Sequence, residues 1–367
     1  MTAAMNRDRL LSRLVIAVAL AAGTAIPASA ITIDWVTVGD PGNAADDTGY
    51  GAVADSFRIM KFEFTNQQYT DFLNSVAATD NYSLYVNFGM GNNARGGITR
   101  SGSSGSYTYS VKANMGDKPV NYVSWFDAAR VANWLMNGAT SSSSTETGAY
   151  TLNGQTFGTV PARNPGATFY IPTRDEWYKA AYYKGGSTNA GYWDYATQSG
   201  TTPNAVTADS TGIGSAGGTG NYGNFQSDAD WNNQNGNVTT VGTNGGASAY
   251  GTFDQSGNVS EWNDLTGTAG LQREQRGGYW FDPSMQLSTF SSNNLTNPTN
   301  EDSSIGFRLA VVPEPSTYAM ALAGLACGGW HLRRRRGVPL PCPAPAVSSY
   351  RRHRPESAIH IRARGHR

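Results

Sequence analysis

Between residues 31 and 312 this 367-residue chain contains no histidine and no cysteine. All six such residues lie beyond that region: Cys327, His331, Cys342, His353, His360 and His366. The central region therefore has to fold without a disulfide, a zinc staple or a haem ligand. It has only apolar burial and polar pairing to hold it, and a stretch of its length is long enough to bury a large core without such staples. The same absence removes thiol nucleophiles and histidine bases from its chemistry. Charge narrows the choice further. Lys+Arg and Asp+Glu both number 27, but three arginines lie within residues 1–30 and ten lie beyond residue 312. That leaves 14 basic and 24 acidic residues in between. Such an acidic surface repels phosphate backbones and offers nucleic acid no footprint.

Both ends carry targeting patterns. Arg7, Arg9 and Arg13 precede the apolar run Leu14–Ala22, and Ala28-Ser29-Ala30 follows as a small-residue cleavage site. This is the layout of a secretory signal peptide over residues 1–30, read by the Sec translocon. At the other end Val312-Pro313-Glu314-Pro315 is followed by an apolar stretch, Tyr318–Trp330, and by Arg333–Arg336. An apolar helix closed by arginines is a stop-transfer arrangement with its basic end in the cytoplasm. The string over 312–336 resembles the PEP-CTERM sorting signal of Gram-negative bacteria, which implies an exosortase-type protease as partner and a transient C-terminal membrane anchor. The protein is then expected in the cell envelope or outside the cell. Residues 337–367 depart from that pattern. They are Pro-rich, then Arg- and His-rich, and read as a disordered or artefactual basic tail.

Three helices stand out in the central region. Thr65 and Gln68 make a capping box before Tyr69, Phe72, Leu73 and Val76 at helical spacing. Ser124 is an N-cap with Asp127 in the first turn, Trp125, Ala128, Val131, Ala132 and Leu135 form the buried stripe, and Gly138 ends the helix. Thr173 and Glu176 form a third capping box, with Gly185-Gly186 as the stop. Strand-like stretches are short: Phe57–Phe64, Tyr107–Val111, Phe169–Ile171, Gly278–Phe281 and Phe307–Val311. Serine- and glycine-rich tracts such as Ser141–Thr145 and Gly212–Gly220 read as loops. The expected fold is one α+β domain over 31–311 with much irregular structure.

Six motifs then occur in order. They are Phe62-Glu63-Phe64-Thr65-Asn66-Gln67-Gln68-Tyr69, Pro119-Val120-Asn121-Tyr122-Val123-Ser124-Trp125 and Ile171-Pro172-Thr173-Arg174-Asp175-Glu176-Trp177, followed by Gly257-Asn258-Val259-Ser260-Glu261-Trp262, Arg276-Gly277-Gly278-Tyr279-Trp280 and Gly306-Phe307-Arg308. Each is weak alone. Together they resemble the formylglycine-generating enzyme, or sulfatase-modifying factor, family. The resemblance implies a variant of the C-type lectin fold. Catalytic members oxidise a substrate cysteine with copper held by two cysteines just after the Arg-Gly-Gly motif. The matching positions here are Asp282 and Leu287. Neither offers the soft sulfur that Cu(I) prefers. The iron-dependent branch needs histidines that this region lacks. The resemblance thus implies the scaffold and argues against its copper and iron chemistry, leaving no catalytic residue to name.

The resemblance also implies a Ca²⁺ site on Asp254, Gly257, Val259 and Glu261. Two carboxylates and two carbonyls within eight residues suit a hard cation. The competing reading is a tight turn in which Glu261 caps backbone amides. A second calcium site would fall near Asn221, Tyr222 and 230–235, where the loops align too loosely to assign. Glu176 and Asp127 read as capping residues, and Arg276 and Arg308 as loop pins through bidentate hydrogen bonds. An Asp282/Asp302 acid–base pair is the weaker reading of those carboxylates. The leading expectation is an exported, calcium-stabilised, non-catalytic module that binds a surface glycan or protein. Trp193, Trp280 and Asp282 are its candidate ligand residues, with Tyr192, Tyr195 and Trp231 as further stacking candidates. An enzyme with unrecognised carboxylate- or calcium-dependent chemistry, and a structural component of extracellular matrix, stay open beside it.

Overall fold

A computed structural model describes residues 31–291 and 294–313. The signal peptide, the anchor helix, its arginine cluster and the basic tail expected from the sequence lie outside the described residues. In chain order the fold runs β1 (Trp35–Val38), β2 (Phe57–Met60), α1 (Asn66–Val76), β3 (Ile98–Ser101), β4 (Thr108–Val111) and α2 (Trp125–Met136). It continues through β5 (Phe169–Tyr170), α3 (Arg174–Tyr182), β6 (Asn204–Ala205) and β7 (Tyr222–Gly223). The last strands are β8 (Ser260–Asn263), β9 (Arg273–Arg276), β10 (Leu295–Thr296), β11 (Ile305–Phe307) and β12 (Ala310–Val311). Among the described residues no helix is long and apolar enough to cross a membrane.

The helices start where their caps dictate. Thr65, Ser124 and Thr173 each accept the backbone N–H three residues on, and Gln68, Asp127 and Glu176 return the bond to the cap N–H. These reciprocal bonds satisfy two otherwise orphaned donors per helix. Helix α3 stops at Tyr182, short of the Gly185-Gly186 pair, because Tyr183 turns extended and pairs with Tyr192.

Two four-stranded sheets form the frame, ordered β1-β2-β12-β5 and β10-β9-β8-β11. The first is antiparallel throughout, and in the second β11 runs parallel to β8. The chain thus crosses from one sheet to the other between Phe307 and Ala310. Arg308 sits at that crossing, fully buried. The main core gathers Phe64, Tyr69, Phe72, Val131, Trp125, Tyr150, Trp262 and Phe307 between helices and sheets. Phe64 stacks on Phe307 at 5.0 Å between ring centroids.

One expected strand is absent. Gly278–Phe281 forms a turn, because Gly277 and Gly278 take φ of +95° and +70°. A Cβ on Gly278 would come within 2.9 Å of Leu287, so only glycine fits there.

Candidate functional site

Asp282 and Leu287 meet at that turn. The site where Gly278 would carry a Cβ lies 2.9 Å from Leu287 Cδ1 and 3.4 Å from Asp282 Oδ2, so both side chains converge on one spot. Asp282 Oδ2 accepts the Tyr279 N–H at 3.2 Å, and the Asp282 N–H donates to Tyr279 O at 3.0 Å. Burial pushes the Asp282 carboxyl up to about 6. Leu287 is fully buried against Tyr195 and Phe225, and its carbonyl accepts the Tyr182 hydroxyl. The second of the two positions is a core plug rather than a reactive group.

The same turn pushes other side chains outward. Phe281, Met285 and Phe290 are 58%, 67% and 72% exposed. Sequence reading passed over them, since no pattern separates an exposed phenylalanine from a buried one in so irregular a segment. The aromatics it did name are mostly interior. Trp231 and Tyr195 are buried, the former with its indole N–H on Val238 O. Trp280 is buried beneath Arg95, whose guanidinium lies 4.1 Å from the ring centroid. Arg95 is held there by the carbonyls of Gly236 and Asn235. Trp193 is half-buried with the Lys184 ammonium 4.5 Å from its ring. Tyr192 is half-buried against Tyr178 and Tyr183. Asp302 spends its carboxylate on Ser303 and Ser304, and its carbonyl accepts the Tyr122 N–H. A larger groove, about 970 Å³, lies elsewhere among the described residues, between Asp55, Arg163, Tyr170, Asp175 and Glu176.

The scaffold is that of a known family. A model of the sulfatase-modifying factor enzyme 1-like domain matches residues 37–312. The chain belongs to the sulfatase-modifying factor family. A PEP-CTERM protein-sorting motif matches residues 311–336, which marks an exported, envelope-directed protein processed by an exosortase-type system. No curated protein matches the chain. Three solved structures are similar to it. CarF is 21% identical over 77% of this chain and 99% of its own, with a TM-score of 0.43. Variable protein 1 of Treponema denticola is 18% identical over 78% and 97%, at 0.41. PvdO from Pseudomonas aeruginosa is 16% identical over 77% and 93%, at 0.35.

The calcium ligands that membership in the sulfatase-modifying factor family implies can be tested on their donors. Glu261 faces Arg308 in a bidentate pair, Oε2 to Nε at 2.6 Å and Oε1 to Nη2 at 2.7 Å. Its Oε2 also accepts the Trp177 indole N–H at 2.8 Å. Asp254 accepts the Gly242 N–H at 2.5 Å on one oxygen and the Asn244 amide at 2.9 Å on the other. In this arrangement both carboxylates are engaged by protein donors. Among the described residues no three His, Cys, Asp or Glu side chains converge to hold a metal. Asn221 and Asp230, flagged for a second ion, serve separate turns through Thr201 and Gly236.

Arg308 fills the middle of this acidic centre instead. Its remaining donors reach Met60 O, Lys61 O and Phe253 O. The expected pinning role of Arg308 is thus met in bidentate form. Arg276 reaches Glu274 and Thr289 O with single long contacts of 3.4 and 3.3 Å. Glu63 completes the centre, accepting the Asn258 amide at 3.0 Å. Burial, followed by the nearby Asp254, raises its carboxyl well above the usual range. One guanidinium then faces three acidic side chains, Glu261, Glu63 and Asp254. Sequence reading missed Glu63, which looked like one letter of a motif.

Proposed function

We propose that this protein is an exported, non-catalytic binding module that uses the family scaffold to present the 279–290 turn to a protein partner at the cell envelope. One observation carries the reading. Where catalytic relatives place a copper-binding thiol pair, this chain has a partly buried Asp282 and a core leucine, in a segment that also carries the exposed Phe281, Met285 and Phe290. Single exposed apolar side chains are ordinary, but three large ones within ten residues are the kind of surface that a partner covers. Flexible methionine beside aromatic rings suits a packed protein contact. The Trp280 indole is buried under Arg95 and is not available to stack on a sugar.

A photo-crosslinking amino acid at Phe290, tested in cells, is expected to give a discrete adduct. The same probe at Phe157, which is equally exposed but on another loop, is expected to give none. No adduct at position 290, or the same adduct from both positions, would remove the proposal.

A further inference from the structure

A second cleft lies beside the hairpin that follows α3. It has a volume of about 400 Å³ and runs between the Ala44–Asp47 loop and the tip of the 183–192 hairpin. Its wall is aromatic. The Tyr192 ring is set edge-on against Tyr183 at 4.9 Å and against Tyr178 at 5.6 Å, and Tyr183 stacks on Tyr250 at 6.3 Å. The ring cannot swing. Its hydroxyl accepts the Asn43 amide and donates to Ala44 O, both at 2.8 Å. A Cβ on Gly51 would lie 2.6 Å from that hydroxyl, so the glycine lets the loop close over it. Asp46 is fixed as well, by the Tyr178 hydroxyl on one oxygen and the Asp47 N–H on the other.

The rest of the lining is polar and uncommitted. Among the described residues the Asp47 carboxylate, the Thr188 hydroxyl and the Asn189 side-chain amide have no intramolecular hydrogen-bond partner. A half-buried, locked aromatic face beside a free carboxylate, a hydroxyl and an amide matches the two surfaces of a pyranose. Its C–H face stacks on an aromatic ring, and its hydroxyls need acceptors and donors in fixed places. Charge decides which sugars. Asp46 and Asp47 are both acidic, and the central region has ten more acidic than basic residues. Uronic acids would be repelled.

We infer that this cleft binds neutral hexopyranose chains, with Tyr192 as the stacking ring and Asp47 and Asn189 as hydroxyl partners. The site is separate from the 279–290 turn, so the two readings can fail independently. The volume admits about two sugar units, since pockets of this size enclose small ligands.

The test is calorimetric titration of the exported protein with cellotetraose and mannotetraose, and with an oligogalacturonate of the same length. The neutral oligosaccharides are expected to bind and the acidic one to be refused. Asp47→Ala is expected to weaken binding roughly 10-fold, the low end of the worth of one hydrogen bond to a charged group. Tyr192→Ala should abolish it, while Phe157→Ala, on an exposed loop outside both surfaces, binds as the parent does. Asp47 is exposed and unpaired, so its variant keeps the fold even where Tyr192→Ala disturbs the loop. Absence of neutral-sugar binding, equal binding by Asp47→Ala, or preference for the oligogalacturonate would each overturn the inference.

Discussion

Arg308→Ala is expected to lower stability by about 3–5 kcal/mol, the cost of leaving one member of a buried ion pair uncompensated. The guanidinium is fully buried at the crossing from one sheet to the other. Its loss strands Glu261, which would keep only the Trp177 indole as donor. It also takes a donor from the carbonyls of Met60 at the end of β2, of Lys61 just after it and of Phe253 in the loop before β8. Glu261→Gln alone should cost less, because the amide oxygen still accepts from Trp177. The double variant should fall short of the sum, since the two side chains act on one another. Melting of the three variants checks this. Additive losses would mean that the pair is not the unit that locks the sheets. The same melts in EDTA and in millimolar Ca²⁺ are expected to coincide. A ligand that binds only the native state raises Tm, so a calcium-induced rise that vanishes in Glu261→Gln would restore the metal site.

Leu287→Ala is the second large effect. A fully buried leucine packed on Tyr195 and Phe225 costs about 2–5 kcal/mol when truncated, the spread reflecting how far the site collapses. Met285→Ala, two residues away and mostly exposed, should stay within about 0.5 kcal/mol. Denaturant midpoints separate the two. Similar small losses would show that position 287 is a tolerant surface site and not the plug that holds the turn.

The legibility of this chain divides along the range of the interactions. The helices announced themselves because a capping box is complete within four residues, and Thr65, Ser124 and Thr173 cap where their sequences say. The sheet frame did not. Strands such as β8 and β9 owe their existence to pairing with each other and with β11, and their residues carry two arginines and two glutamates in place of an apolar alternation. Buried pairs like Glu261–Arg308 join positions far apart in the chain, so the sequence shows two motif residues and not their contact. The aromatic run at 278–281 looked like a strand, and the positive φ of its glycines made it a turn. The family motifs point to Asp282 and Leu287, whose side chains the fold brings to one spot beside Gly278. They could not show that one is half-open and the other sealed, which depends on what packs beneath.

Incubating the purified protein with copper, oxygen and a cysteine-containing sulfatase peptide asks directly whether this scaffold has left thiol chemistry behind. With Asp282 and Leu287 in the two thiol positions, mass spectrometry is expected to return the peptide cysteine unchanged, and Cu(I) titration to show no stoichiometric site. Conversion of that cysteine to formylglycine would contradict the account at its centre.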